Sequence, residues 1–439
     1  MRALRGMSLP TALWRAACVA LAVFLTPAQA LAALTVSTNF EGASARVLAI
    51  DTASQTVSVT PGGNPDRGWP CWWYLRVGGI DVNKPLFVKV VANMSAGNSE
   101  GGARHEKLAG NWSLPARAAI STNHTDWDQT EIGERHGSET TYRIEPKTSM
   151  LWLAWGPPFT LSDARTFLTA AAEQHPFAEC FSLARSREGR SVPALQVKEG
   201  SLPESRRPVI WVLARQHAWE AGGTWVGIGF AEWLTSNDDR ARRLRSEAEI
   251  FFVPVMDADR VATSDGGKES IPRDHNEDWS QSPHYPEVAA VEKRILAQVK
   301  ENRVALLVDL HNPNNKSTDS QLWVTPTNLI GSLAARNQAR LIQACRDEIL
   351  SPLPVPPDGH VIWDSPGEAG WWKTAWHNLT CPWVYEHANP QTVATTLEVA
   401  WNTQSSTTKG YRAVGEGLGR AIELYMRERT LVMPASGGQ

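Results

Sequence analysis

The stretch "PVIWVLARQHAWEAGG", residues 208–223, decides how the rest of the chain is read. Residues 209–213 form an uninterrupted apolar run, the mark of a strand buried on both faces of a sheet. The run breaks into a loop that carries His217 and, three residues later, Glu220. Both side chains are good metal ligands, and they stand where a core strand ends. In open α/β sheets, functional groups gather outside the carboxyl ends of the strands, so the other strand ends are the next place to look.

Similar apolar runs recur downstream: "EIFFVPVM" (249–256), "VALLVDL" (304–310) and "CPWVYE" (381–386). Helical patterns alternate with them, among them "GTWVGIGFAEWLTS" (223–236), "EVAAVEKRILAQVKEN" (287–302), "NLIGSLAARNQARLIQACRDEIL" (328–350) and "GYRAVGEGLGRAIELYMRER" (410–429). That alternation predicts an α/β domain whose sheet has helices on both faces, over residues 161–430, opened by a helix capped near Ser162. Upstream, residues 33–160 read differently. Short apolar-polar runs such as "ARVLAIDTASQTVSVTPGG" and "LFVKVVANM", broken by turn residues, predict a small antiparallel β-sandwich. Residues 431–439 read as a loose tail.

The predicted strand ends yield a coherent donor set. "VALLVDL" delivers His311, and "CPWVYE" is expected to deliver Glu386, followed by His387. His217, Glu220 and His311 make a two-histidine, one-carboxylate set, which suits a catalytic zinc with one coordination position left open. A metal is the natural answer to amide hydrolysis, because it polarises a poor electrophile and acidifies a poor nucleophile. A nearby carboxylate must then carry the proton from water to the leaving amine. The chain has no His-Glu-x-x-His.

Gross properties bound the alternatives. With 43 Lys+Arg against 46 Asp+Glu and no basic block, nothing points to a nucleic-acid partner. Residues 1–32 combine Arg2, Arg5 and Arg15 with a ten-residue apolar run, "AACVALAVFL", and small residues in "TPAQALAAL". The run is too short to span a bilayer and fits a secretory signal peptide, so the protein is expected to be exported to the periplasm or beyond the cell, with no membrane anchor left after cleavage. Losing those three arginines takes the formal charge from −3 to −6. Cys71, Cys180, Cys345 and Cys381 then remain, and an oxidising compartment permits two disulfides or four buried free thiols. Most of the 20 tryptophans read as core or inter-domain packing.

Taken in order, these segments resemble the M14 zinc carboxypeptidases, in the branch typified by cytosolic carboxypeptidases with an N-terminal β-sandwich. "CFSLARSREGRSVPALQV" resembles the family's opening Ser-x-x-Gly-Arg strand, "RQHAWEAGGTW" its His-x-x-Glu loop, and "FFVPVMDADRV" its Pro-x-x-Asn-Pro-Asp-Gly turn. "RDHNEDW", "VDLHN" and "WVYEHA" resemble the segments that follow, and "CWWYLRVGG" and "LWLAWGPPFTLSDARTFL" resemble the preceding sandwich. The resemblance implies a mixed-sheet, zinc carboxypeptidase-like fold and one Zn2+ per chain on His217, Glu220 and His311. It implies Glu386 as general base and acid, Asn276 on the substrate's terminal carboxylate, and Lys268, with Arg273 as rival, polarising the scissile carbonyl. Two positions depart from the family. Glu277 stands where an arginine clamps the substrate carboxylate; it would repel that group by a few kcal/mol at short range, unless Arg273 or Lys316 takes the anion or the substrate presents an amine or neutral group. No tyrosine precedes Glu386; "GWWKTAWHNLTCPW" offers Trp372, Lys373 and Trp376 instead. The function expected is removal of a C-terminal residue from a peptide. The alternatives are an amidohydrolase acting on a non-peptide or cell-wall amide, and a non-catalytic binding protein that keeps the fold.

Overall fold

The computed structural model describes residues 33–95, 108–313, 317–362 and 376–431. The expected signal peptide, Lys316, Trp372, Lys373 and the tail beyond Leu431 lie outside the described residues.

Two five-stranded sheets build the first layer pair. One runs, in spatial order, Thr35–Ser37, Tyr74–Gly78, Met150–Ala154, Ala119–Ser121 and Asp128–Gln129. The other runs Ala45–Asp51, Thr56–Pro61, Leu86–Val91, Glu139–Ile144 and Glu134–His136. Burial alternates residue by residue along Leu86–Val91, as the two-residue side-chain period of a half-buried strand requires. Val57, Val88 and Tyr142 from one sheet share a core with Leu75, Val77 and Leu153 from the other. The antiparallel expectation has one exception: Thr56–Pro61 and Leu86–Val91 pair in parallel. The chain between them crosses to the opposite sheet to form Tyr74–Gly78, so it returns in its original direction.

Helix Leu161–Gln174 follows, capped not by Ser162 but by Thr160, whose hydroxyl and the Asp163 carboxylate form a reciprocal capping box. The α/β layer is an eight-stranded mixed sheet in the order Ala178–Arg185, Ser191–Val197, Glu249–Val253, Val209–Ala214, Val304–His311, Val393–Glu398, Gln321–Val324 and His360–Ile362. Four neighbours, from Glu249–Val253 to Val393–Glu398, run parallel, so the carboxyl ends of these strands share one edge. The first three of those strands are buried along their whole length. Helix Ala221–Thr235 packs on two of them and against Thr408–Glu428. All its residues but one are buried, which explains a sequence that is apolar on every side.

The stretch "CPWVYE" is not a strand. Residues Thr380–His387 form a helix, and the strand beside Val304–His311 is Val393–Glu398. Pro382 lies in the first turn of that helix, where a missing N–H costs nothing, whereas inside a central sheet it would break a ladder bond. All four cysteines among the described residues are free thiols: Cys71, Cys345 and Cys381 are buried and Cys180 is partly buried. Sandwich and α/β layer form one compact unit, and no described helix is long and apolar enough to cross a membrane.

Candidate metal centre and active site

The strand Val209–Ala214 ends because Arg215 takes a left-handed backbone conformation, φ 62°. Such a φ costs a non-glycine residue about 1–2 kcal/mol. Here two bonds hold it: the Arg215 guanidinium donates to the Ala218 carbonyl at 2.6 Å and to the Phe159 carbonyl at 3.2 Å. The kink sends Gln216 and His217 off the strand axis, and Glu220 becomes the residue that caps helix Ala221–Thr235. That helix approaches the neighbouring strand so closely that a Cβ on Gly223 would stand 2.7 Å from the Leu310 carbonyl oxygen. Glycine there brings Glu220 against His311.

The three expected ligands meet. His217, Glu220 and His311 form a buried cluster whose donor atoms all lie within 4.8 Å of one another. The Nδ1 atoms of the two histidines are 3.2 Å apart. Glu220 Oε1 is 2.9 Å from His217 Nδ1, and its Oε2 is 2.8 Å from His311 Nδ1. Tetrahedral bonds of about 2.0–2.1 Å place neighbouring donors about 3.3 Å apart, close to the spacing found. His311 Nε2 is held from outside by Asp309 at 2.9 Å, and the Asp274 carboxylate faces His217 Nε2 at 3.5 Å. The carboxylate behind His311 fixes the tautomer that leaves its Nδ1 free for a metal. The residues therefore fit a zinc ion.

The electrostatics agree with that fit. Burial would lower both histidines, but Glu220 and Asp274 raise His217, and Asp309 and Glu220 lift His311 well above its ordinary value. Burial would raise Glu220, yet His217 and His311 hold it far below the usual carboxylate range.

Glu386 does not join this group. It sits on helix Thr380–His387 with its side chain 40% exposed, paired with His377. A carboxylate that does stand beside the cluster is Glu398, at the carboxyl end of its strand and directly in register with His311. Burial pushes Glu398 up to about 7, with His311 pulling against that, Glu220 adding to it and Lys268 opposing it. A carboxyl group poised near neutrality is suited to moving protons. The signal in the sequence was "VATTLE", another strand with an acidic end, whose two threonines disguise it.

The remaining expected residues surround the pocket. Lys268 is raised despite burial by Asp274 and Glu220, and among the described residues it meets no carboxylate at ion-pair distance. Arg273 is partly exposed and lies 3.4 Å from Asp278, which leaves Lys268 the better-placed cation. Asn276 accepts a bond from Thr380 Oγ1 at 2.8 Å, so its amide Nδ2 is the group left to donate. Burial, then Asp274, push Glu277 up to about 8.

Three residues that sequence reasoning passed over tie the site together. Asn312 accepts from the Gly223 N–H at 3.1 Å, donates to the Val399 carbonyl at 2.6 Å, and its backbone N–H donates to Glu220 at 3.3 Å. Gln216 donates to Asp309 at 2.5 Å and to Thr380 at 2.7 Å, and its oxygen accepts from buried Trp279 at 2.8 Å. Trp219, between the two ligands of its loop, packs into the sandwich core with Trp155 and Trp401.

The mixed α/β sheet with its flanking helices has the fold of solved metallo-carboxypeptidases. Residues 164–287 match the model of the zinc carboxypeptidase family, a span that includes His217 and Glu220. A metallo-carboxypeptidase from Burkholderia cenocepacia superposes with a TM-score of 0.70 and 18% identity, covering 90% of this chain and 99% of the other. A metallo-carboxypeptidase from Pseudomonas aeruginosa gives 0.68 and 17%, covering 90% and 100%. At those identities the likeness is one of fold. An uncharacterized protein of Zymomonas mobilis is 27% identical over 198 residues, 44% of this chain and 49% of that protein. Human cytosolic carboxypeptidase 2 is 26% identical over 168 residues, 36% of this chain and 19% of that protein. The matches thus span about half or less of these relatives' lengths.

Proposed function

We propose that the protein is an exported zinc-dependent hydrolase that removes a C-terminal residue from a peptide. The observation that carries this reading is the buried His217–Glu220–His311 cluster with Glu398 in register beside it. Bound on those three residues, one zinc ion per chain would supply a Lewis acid for the scissile carbonyl and lower the pKa of water. Glu398 takes the proton of the attacking water and returns it to the departing amine. Lys268 offers ammonium N–H donors to the carbonyl oxygen as negative charge gathers there. Asn276 donates its amide N–H to the substrate's terminal group. Asp309 keeps the His311 imidazole oriented, and the Asp274 carboxylate faces His217 as a nearby charge. The signal-like composition of residues 1–32 supports export.

A second reading rests on Glu277. Its carboxyl group has no side-chain partner among the described residues, and it stands where the family would place an arginine clamp. An amide whose terminal group is an amine or is uncharged would suit that position better than an ordinary C-terminal carboxylate, which favours an amidohydrolase acting on a non-peptide or cell-wall amide.

The test is zinc per chain in the purified, zinc-reconstituted protein, followed by hydrolysis of matched peptides with free and amidated C-termini. About one zinc, lost in His217→Ala, with release of the terminal residue from free-acid peptides, supports the first reading. Cleavage of only the amidated or amine-terminated set supports the second. No retained zinc and no hydrolysis in a folded sample refutes both.

A further inference from the structure

Lys268 rides on a loop that the sandwich holds. The Gly267 N–H donates to the Arg67 carbonyl at 3.0 Å, the Trp69 N–H donates to the Lys268 carbonyl at 3.0 Å, and the Ile271 N–H donates to the Asp66 carbonyl at 3.0 Å. The Arg67 guanidinium pairs with Asp265 at 2.6 Å. From its other side the same loop accepts the Trp219 N–H on the Gly266 carbonyl at 3.1 Å, which joins it to the His217–Glu220 loop. The three backbones are so close that a Cβ on Gly68 would lie 2.2 Å from Gly267 N, and one on Gly267 would lie 2.5 Å from Ala218 N. The lysine's backbone therefore has little freedom.

Its side chain has an unusual partner. Four carboxylates act on the Lys268 ammonium (Asp274, Glu220, Glu269 and Glu277), yet none of the described ones reaches ion-pair distance. What it does meet is the ring of Trp69, with Nζ 5.6 Å from the ring centroid. Trp69 is 8% exposed and braced by Trp112, whose ring is 4.6 Å away. An indole face attracts a cation through its quadrupole, but it accepts no conventional hydrogen bond and brings no net negative charge. A carboxylate partner would hold the ammonium equally well and cancel the field it projects into the site.

We propose that Trp69, supplied by the sandwich, is a positioning residue for the reaction: its ring holds the Lys268 ammonium by a cation–π contact, with the N–H donors free for the scissile carbonyl. This rests on the reading of Lys268 as the polarising cation, so the two must be separable in one experiment.

The test uses the full-length, zinc-loaded protein and a substrate that it hydrolyses. Trp69 is replaced by Leu, by Phe, and, through site-specific incorporation, by tryptophans of increasing fluorination, which keep the shape and drain the ring of negative potential. Lys268→Met is made alone and combined with Trp69→Leu. The expected result is a tenfold or greater loss of kcat in Trp69→Leu, KM within about twofold, unchanged zinc per chain, and partial recovery in Trp69→Phe. In addition, log kcat falls stepwise with fluorination, and Trp69→Leu causes no further loss once Lys268 is Met. A flat fluorination series, which needs no disruptive variant, overturns the proposal, as does a tenfold loss that persists in the Lys268→Met background. If Lys268→Met itself leaves kcat within twofold, the role given to Lys268 fails first.

Discussion

Replacing Glu398 by Gln tests the heart of the mechanism. The two side chains have the same shape, and among the described residues the Glu398 carboxylate has no hydrogen-bond partner, so the change removes proton transfer and little else. Positioned acid–base groups contribute about 10²–10⁴-fold, which at about 1.36 kcal/mol per decade is about 3–5 kcal/mol of transition-state stabilisation. Steady-state kinetics on the zinc-loaded variant should show kcat reduced by at least about 100-fold with zinc per chain unchanged. Wild-type activity should fall with acidification as Glu398 takes up a proton, with bound zinc placing that limb below its metal-free value of about 7. Glu386→Gln, at an exposed side chain, should retain activity within about twofold. A hundredfold loss in Glu386→Gln with Glu398→Gln fully active would refute the assignment and restore the residue that the sequence alone suggested.

Zinc affinity should rise with pH, because His217 and His311 bind protons in the metal-free pocket; chelator competition should give about tenfold per unit for each proton displaced, and a flat profile would contradict the electrostatics. His275 is buried, 2.7 Å from Glu287 and 3.5 Å from Asp257, and these carboxylates raise its pKa against the effect of burial. Its stabilisation is complete below the unfolded value of about 6.5 and is lost as pH rises through the raised native value. Urea unfolding should therefore separate wild type from His275→Gln more at pH 6 than at pH 9. Asn312→Ala strips partners from the Gly223 N–H and the Val399 carbonyl, at about 1–3 kcal/mol each. A thermal midpoint unchanged from wild type would show that the Asn312 bonds carry no stability.

The metal ligands were legible because each of their strands is a continuous apolar run with a polar end, a pattern that local chemistry alone produces. Glu386 and Glu398 show where that rule fails. "CPWVYE" has the valine, tyrosine and tryptophan of a strand, but Pro382 belongs to a helical first turn. "VATTLE" is buried throughout except at its end, yet Thr395 and Thr396 read as surface. The Thr395 hydroxyl reaches the Trp323 carbonyl at 3.0 Å, a partner 72 positions away that no local pattern reveals. Asn312, Gln216 and Trp69 were hidden for the same reason, since their roles exist only through contacts between distant segments. The surplus of tryptophan was visible from composition, and its reading as packing matches Trp69, Trp155, Trp219 and Trp401 in the sandwich core. Which segments that packing joins was not visible.

The free thiols have a practical consequence. Burial raises Cys71, Cys345 and Cys381 well above their ordinary range, Cys345 to about 12, so they stay protonated and shielded from electrophiles. Cys180 is also raised, but only partly buried, on the strand Ala178–Arg185 at the rim of the sheet. Among the described cysteines a maleimide dye should therefore couple at Cys180 alone, giving a ready-made attachment point for spectroscopy on the folded protein.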